Sequence, residues 1–153
     1  MKIRFAAIIL LAFGSSLGVV SQPSAEPTAI AESLPPKLRE FLKKEMHLLA
    51  DAGRVMEAAL AKGDSKTVGK LAQQMHESFI LKKELTTLDL RELQAIVGDD
   101  FVVRDKAFHA MARELSLAAQ TDDVSLQQVL FTKMTYACAA CHAVYAPKAS
   151  VLE

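Results

Sequence analysis

From Lys37 onward the apolar residues recur at three- and four-residue steps and nowhere alternate, so the period is helical throughout. The first predicted helix runs from about Lys37 to Lys62 and stops at Gly63, a residue type common just past a helix end. At about 100° per residue, Leu38, Leu42, Met46, Leu49, Gly53, Met56 and Leu60 share one apolar sector. His47 falls on the charged side with Glu40, Lys43, Asp51 and Arg54, whereas Glu45 interrupts the apolar arc. Asp64 or Ser65 can cap a second helix carrying Val68, Leu71, Ala72, Met75 and Phe79. A looser stretch, Thr86 to Gly98, predicts a short helix with Leu90, Leu93 and Ile96.

A third long helix begins near Asp99 or Asp100 and repeats Phe101, Phe108, Met111, Leu115 and Ala118. Asp122 or Asp123 caps the fourth, whose inner side is expected to hold Leu126, Val129, Leu130, Met134, Cys138, Cys141 and Tyr145 before Pro147 ends it. Four amphipathic helices with short connections must cover one another's apolar stripes. The predicted architecture is therefore all-α, an antiparallel four-helix bundle over residues 37–147. Gly-rich phosphate loops and strand–helix alternation are missing, which argues against nucleotide-binding folds.

The two ends read differently. Lys2 and Arg4 precede an apolar run from Phe5 to Val20, followed by small residues to Ala25. Such a start predicts an export signal over residues 1–25, cleaved between 21 and 25. The run contains Gly14, Ser15, Ser16 and Gly18 and falls short of the roughly 20 apolar residues of a membrane span. Residues 26–36 are expected to be a flexible leader and 148–153 a tail. A cleaved chain has no membrane segment and would be periplasmic. Cleavage removes two bases and no acid, leaving 16 basic against 18 acidic residues, a balance of −2. That is no footprint for nucleic acid, which needs a concentrated basic face.

The only cysteines lie in Cys138-Ala139-Ala140-Cys141-His142. Two thiols three positions apart on a helix face one side and can add to the two vinyl groups of a single haem. The following imidazole can then bind the iron; this is the pattern of c-type haem attachment. A thioredoxin-like pair needs its first cysteine at a helix N-terminus, and Cys138 lies near a C-terminal end. Structural zinc needs four ligands, and no second cysteine pair exists. A disulfide would close a very short loop and constrain little of the unfolded chain. One covalent haem c is the expected cofactor.

The sixth iron position has Met46, His47, Met56, Met75, His76, His109 and Met111 as candidates. With the first and last helices antiparallel, Met46 lies at the depth of His142 and points inward. Met56 and Met75 lie farther along, and plain core packing is the other role open to Met46. His76 and His109 each adjoin an inward residue and read as surface histidines at the bundle's flank. Glu45 has no role in this pattern beyond a hydrogen bond near the haem edge.

This arrangement resembles the class II c-type cytochromes, the cytochrome c-prime family and its low-spin relatives. The similarity spans Lys37 to Pro147 and rests on the four-helix pattern, the Cys-Ala-Ala-Cys-His motif in the last helix, Tyr145 three residues after His142, and Met46 on the first helix. The resemblance implies thioether bonds at Cys138 and Cys141, His142 as proximal ligand and Met46 as distal ligand. Relatives with an apolar residue at that position are five-coordinate and bind small gases. The basic residue that the family often places after the aromatic is absent; Ala146 stands there, with Lys148 two further on. The expected activity is non-enzymatic electron transfer through Fe(II)/Fe(III) with redox partner proteins. A gas-binding protein and a haem-free bundle with a disulfide are the alternatives, and homodimers are common in the family.

Overall fold

The computed structural model describes residues 29–149, all helix and connecting turn without a strand among them. The expected export segment, residues 1–25, lies outside the described residues, as do 26–28 and 150–153. A 3-10 turn, Ile30–Ser33, leads into α1 (Pro36–Ala61). Then follow α2 (Ser65–Glu77), a single turn α3 (Leu81–Glu84), α4 (Thr87–Gln120) and α5 (Val124–Tyr145).

Local chemistry sets these limits. Pro36 opens α1 at a position where its missing N–H costs nothing. Gly63 closes it with φ +67°, and Asp64 caps α2 by accepting from the Thr67 amide. Of the two predicted caps, Asp64 does this work, while Ser65 is buried and its hydroxyl accepts from Gln127 at 3.0 Å. α2 ends two residues before the predicted Phe79, because Ser78 takes φ +61°. Thr86 and Asp89 form a reciprocal capping box at the start of α4. Lys37 reaches the same Asp89 carboxylate at 2.7 Å and ties the start of α1 to it. The carboxyl is held down at about 2, chiefly by Lys37 and then by Thr86.

The expected break falls at Gly98, where φ +81° and ψ 167° interrupt α4. Extended backbone with positive φ is essentially confined to glycine, so the predicted short helix and third long helix are the two arms of one kinked element. Asp123, not Asp122, caps α5 by accepting from the Leu126 amide.

α2 packs most extensively on α4, α4 on α5, and α1 on α2, whereas α1 meets α5 only sparingly. Gly69 allows the close α2–α4 approach; a Cβ there would stand 3.1 Å from that of Ala119. Two apolar clusters fill the interior. One joins Met56, Val68, Met75, Leu115, Leu130 and Met134 from the adjoining ends of α1, α2, α4 and α5. The second joins Leu34, Leu38 and Leu42 to Leu85, Leu93 and Val97. Burying a side chain such as Met56 or Leu115 contributes about 1.5–3 kcal/mol.

Leu34 belongs to that second core, and Arg39 donates to the carbonyls of Glu32 and Leu34, both at 3.0 Å. The described end of the expected leader is thus packed against α1. On α5 the inward residues are Gln127, Leu130 and Met134; the predicted Leu126 and Val129 face outward and are exposed. α5 carries the exposed Ser125, Gln128, Thr132 and Thr135 along one side, but apolar residues cover the rest of its circumference, so helical period alone does not mark which of them face inward.

Candidate functional site

Cys138, Cys141 and His142 sit on the last two turns of α5, all half-buried. This stretch lies where the two cores adjoin: Met134, one turn earlier, belongs to the first, and Tyr145 closes on Phe101, which packs against the second. The Phe101 and Tyr145 rings meet edge to face with centroids 5.1 Å apart. Tyr145 donates its hydroxyl to Asp100 at 2.6 Å, and Arg104 donates to the same carboxylate at 2.9 Å. These two bonds, that from Tyr145 foremost, lower the Asp100 carboxyl; the bond to Asp100 raises the tyrosine hydroxyl in return, partly opposed by Arg104. The motif's end of α5 is therefore anchored to α4 just past the Gly98 kink.

Both cysteines are free thiols. Burial pushes Cys138 up to about 11, with the neighbouring Cys141 adding to the effect. Burial also raises Cys141, partly opposed by Arg104. A neutral thiol is a poor nucleophile and a poor metal ligand. Side chains three positions apart on a continuous helix keep their Cβ atoms about 5–6 Å apart, beyond the roughly 3.5–4.5 Å of a disulfide. The unbroken helix from Val124 to Tyr145 thus opposes a Cys138–Cys141 bond. Among the described residues no three His, Cys, Asp or Glu side chains converge as a bare-ion site would require.

His142 supplies the remaining observation. Its Nδ1 is buried without a hydrogen-bond partner, an arrangement that costs about 1–3 kcal/mol. Two thiols on one side of a helix and an imidazole with unused capacity form a donor set that fits a covalently held porphyrin with a proximal histidine. It does not fit the disulfide or a four-ligand metal ion.

Met46 is half-buried and, like Phe41, Ile96, Phe101 and Val102, packs against the second core. Leu48, Leu49 and Ala50 on this stretch of α1 are half-buried too. His47 is exposed, while Met56 and Met75 are sealed in the first core.

Two residues depart from their expected surroundings. His109 is not a surface histidine; it is 8 % exposed, with Nδ1 2.5 Å from the Met75 carbonyl and Nε2 3.4 Å from Asp105. A carbonyl only accepts, so Nδ1 carries the hydrogen. His76 answers with Nδ1 3.0 Å from the His109 carbonyl, binding α2 to α4. Glu45 is 1 % exposed and accepts from the Ser78 hydroxyl (2.8 Å) and the amides of Phe79 (2.9 Å), Ile80 (2.8 Å) and Leu81 (3.3 Å). It fastens the α2–α3 turn to α1 immediately beside Met46. An acid inside an apolar arc was the available sequence signal; its partners, 33 to 36 residues away, were not.

No protein-family model, curated protein or solved structure matches the chain.

Proposed function

We propose that the chain is an exported monohaem c-type cytochrome of the class II kind, a periplasmic electron carrier rather than an enzyme. In this reading α1, α2, the long arm of α4 and α5 form an antiparallel four-helix bundle with the haem in the α1–α5 seam. The reading rests on the Cys138-Ala139-Ala140-Cys141-His142 turns, with two free, half-buried thiols and an orphaned His142 nitrogen beside them.

Cys138 and Cys141 would hold the group through thioethers, and His142 on α5 and the Met46 thioether on α1 would bind the iron. When bound, haem supplies a one-electron Fe(III)/Fe(II) couple. A thioether ligand favours the reduced state and raises the potential. Apolar walls from Met46, Leu49 and Phe101 keep water away, and the Tyr145–Asp100–Arg104 anchor holds the end of α5 in register. Electrons pass to and from partner proteins.

The test is the absorption spectrum of the loaded protein. A methionine–iron charge-transfer band in the oxidised form, lost in Met46→Ala, is expected. A high-spin spectrum that shifts readily with CO would instead assign an open sixth position and a gas-binding role. His142→Ala is expected to retain little correctly ligated haem.

A further inference from the structure

The second apolar core is shared between two separate parts of the chain. Leu34, Leu38 and Leu42 come from the start of α1 and the turn before it, whereas Leu85, Leu93 and Val97 come from the run that links α2 to the long arm of α4. That run, residues 82–97, holds most of α3 and the short arm of α4. Its two ends are built differently. At the entry, Glu45 accepts from the Ser78 hydroxyl and from the amides of Phe79, Ile80 and Leu81, which clamps the chain to α1. At the exit stands Gly98, with φ +81°, ψ 167° and nothing within 4 Å of where a Cβ would be. A residue without a Cβ passes between extended and helical backbone at little steric cost. Gly98 is therefore a pivot, and the Ser78–Leu81 turn is an anchor.

Between anchor and pivot the run is lightly held. The second core buries six side chains among the described residues, against thirteen in the first. Leu88, Arg91, Glu92, Gln94 and Ala95 are exposed, so one side of the short arm faces solvent. The Lys37–Asp89 ion pair ties the arm to α1, and its lysine side chain is 55 % exposed; pairs of this kind hold weakly. Few buried apolar contacts and an exposed tie mark the parts of a protein that open before the rest. Met46 packs against this same second core. Lifting the run removes the half of the core that it supplies, and with it that part of the cover over Met46. Met56 and Met75, in the first core, keep theirs.

We propose that residues 82–97 are a flap, anchored through Glu45, hinged at Gly98 and latched by Lys37–Asp89, whose opening uncovers Met46. The flap stands on the fold alone. Its use, to set how readily a small donor ligand takes the place of the Met46 thioether, rests on the haem reading above.

Hydrogen exchange of the purified mature protein, followed in rising sub-denaturing urea, tests the flap. The amides of Arg91 to Val97 are expected to exchange through one shared opening, faster than those of Leu115 and Met134. Their dependence on urea should be the weaker, because the opening exposes less surface than global unfolding. Lys37→Ala should speed these flap amides about two- to fivefold. Gly98→Ala, which sets a Cβ at positive φ in the closed form, should speed them at least about fivefold. Flap amides as protected as those of Leu115 and Met134 would overturn the proposal, as would rates indifferent to both substitutions. In the haem-loaded protein, the second-order rate of imidazole binding follows the open population, so each variant should raise it by the same factor as the exchange. An imidazole rate that stays constant while the exchange responds would overturn the gating of Met46. A colourless protein would remove the haem reading, and the exchange would still decide the flap.

Discussion

Replacing Glu45 by alanine strips the acceptor from four donors at once. The Ser78 hydroxyl and the Ile80 amide are buried in this contact, whereas the Phe79 and Leu81 amides are only partly covered. An orphaned buried donor costs about 1–3 kcal/mol; the two partly covered amides can recover water. The expected loss for Glu45→Ala, two such donors, is therefore about 2–6 kcal/mol, a large share of the ~5–15 kcal/mol that holds a domain together. Glu45→Gln keeps the shape and one acceptor oxygen but turns an NH₂ group toward amide donors, so it should lose about half as much. Urea unfolding followed by circular dichroism measures both. Amide exchange at Phe79, Ile80 and Leu81 should accelerate in the alanine variant. An alanine loss under about 1 kcal/mol, or glutamine as damaging as alanine, would refute the idea that this carboxylate pins the α2–α3 turn.

Other outcomes follow from separate features. Gly98→Ala should cost about 1–3 kcal/mol from backbone strain alone, because an added Cβ meets nothing within 4 Å while φ stays at +81°; an unchanged urea midpoint would contradict the kink. Asp89 is ordinarily 3.8 and lies at about 2 in the fold, so the stability it carries is present above pH ~3.8 and is lost as pH falls toward 2. Asp89→Asn should flatten that part of an acid-unfolding curve, and an identical curve would dismiss the Lys37 tie. In chain prepared without haem, Cys138 at about 11 should make folded protein alkylate far more slowly with iodoacetamide at pH 8 than unfolded protein. Equal rates would contradict its burial.

The boundaries were legible because they depend on neighbours in sequence. Gly63, Asp64, Thr86, Gly98 and Asp123 each act within a few residues, and each stands where a helix starts, stops or breaks. The motif was legible for the same reason. What escaped depends on contacts across the fold. His109 adjoins inward Phe108 on its own helix, and its burial comes from the Met75 carbonyl on α2. The inner side of α5 was misjudged at Leu126 and Val129 because the apolar residues of this helix spread well beyond its buried side, up to the exposed polar line of Ser125, Gln128, Thr132 and Thr135. Gln127, a polar residue, is buried instead, satisfied by Ser65 at a distance of 62 residues.

The most direct test of the haem reading is the intact mass of the mature chain, made alongside a working haem-attachment system, with its absorption spectrum after acid–acetone extraction. The mass should exceed that of the polypeptide by one haem, and the Soret band should survive the extraction. A colourless protein with the mass of the bare polypeptide would contradict it.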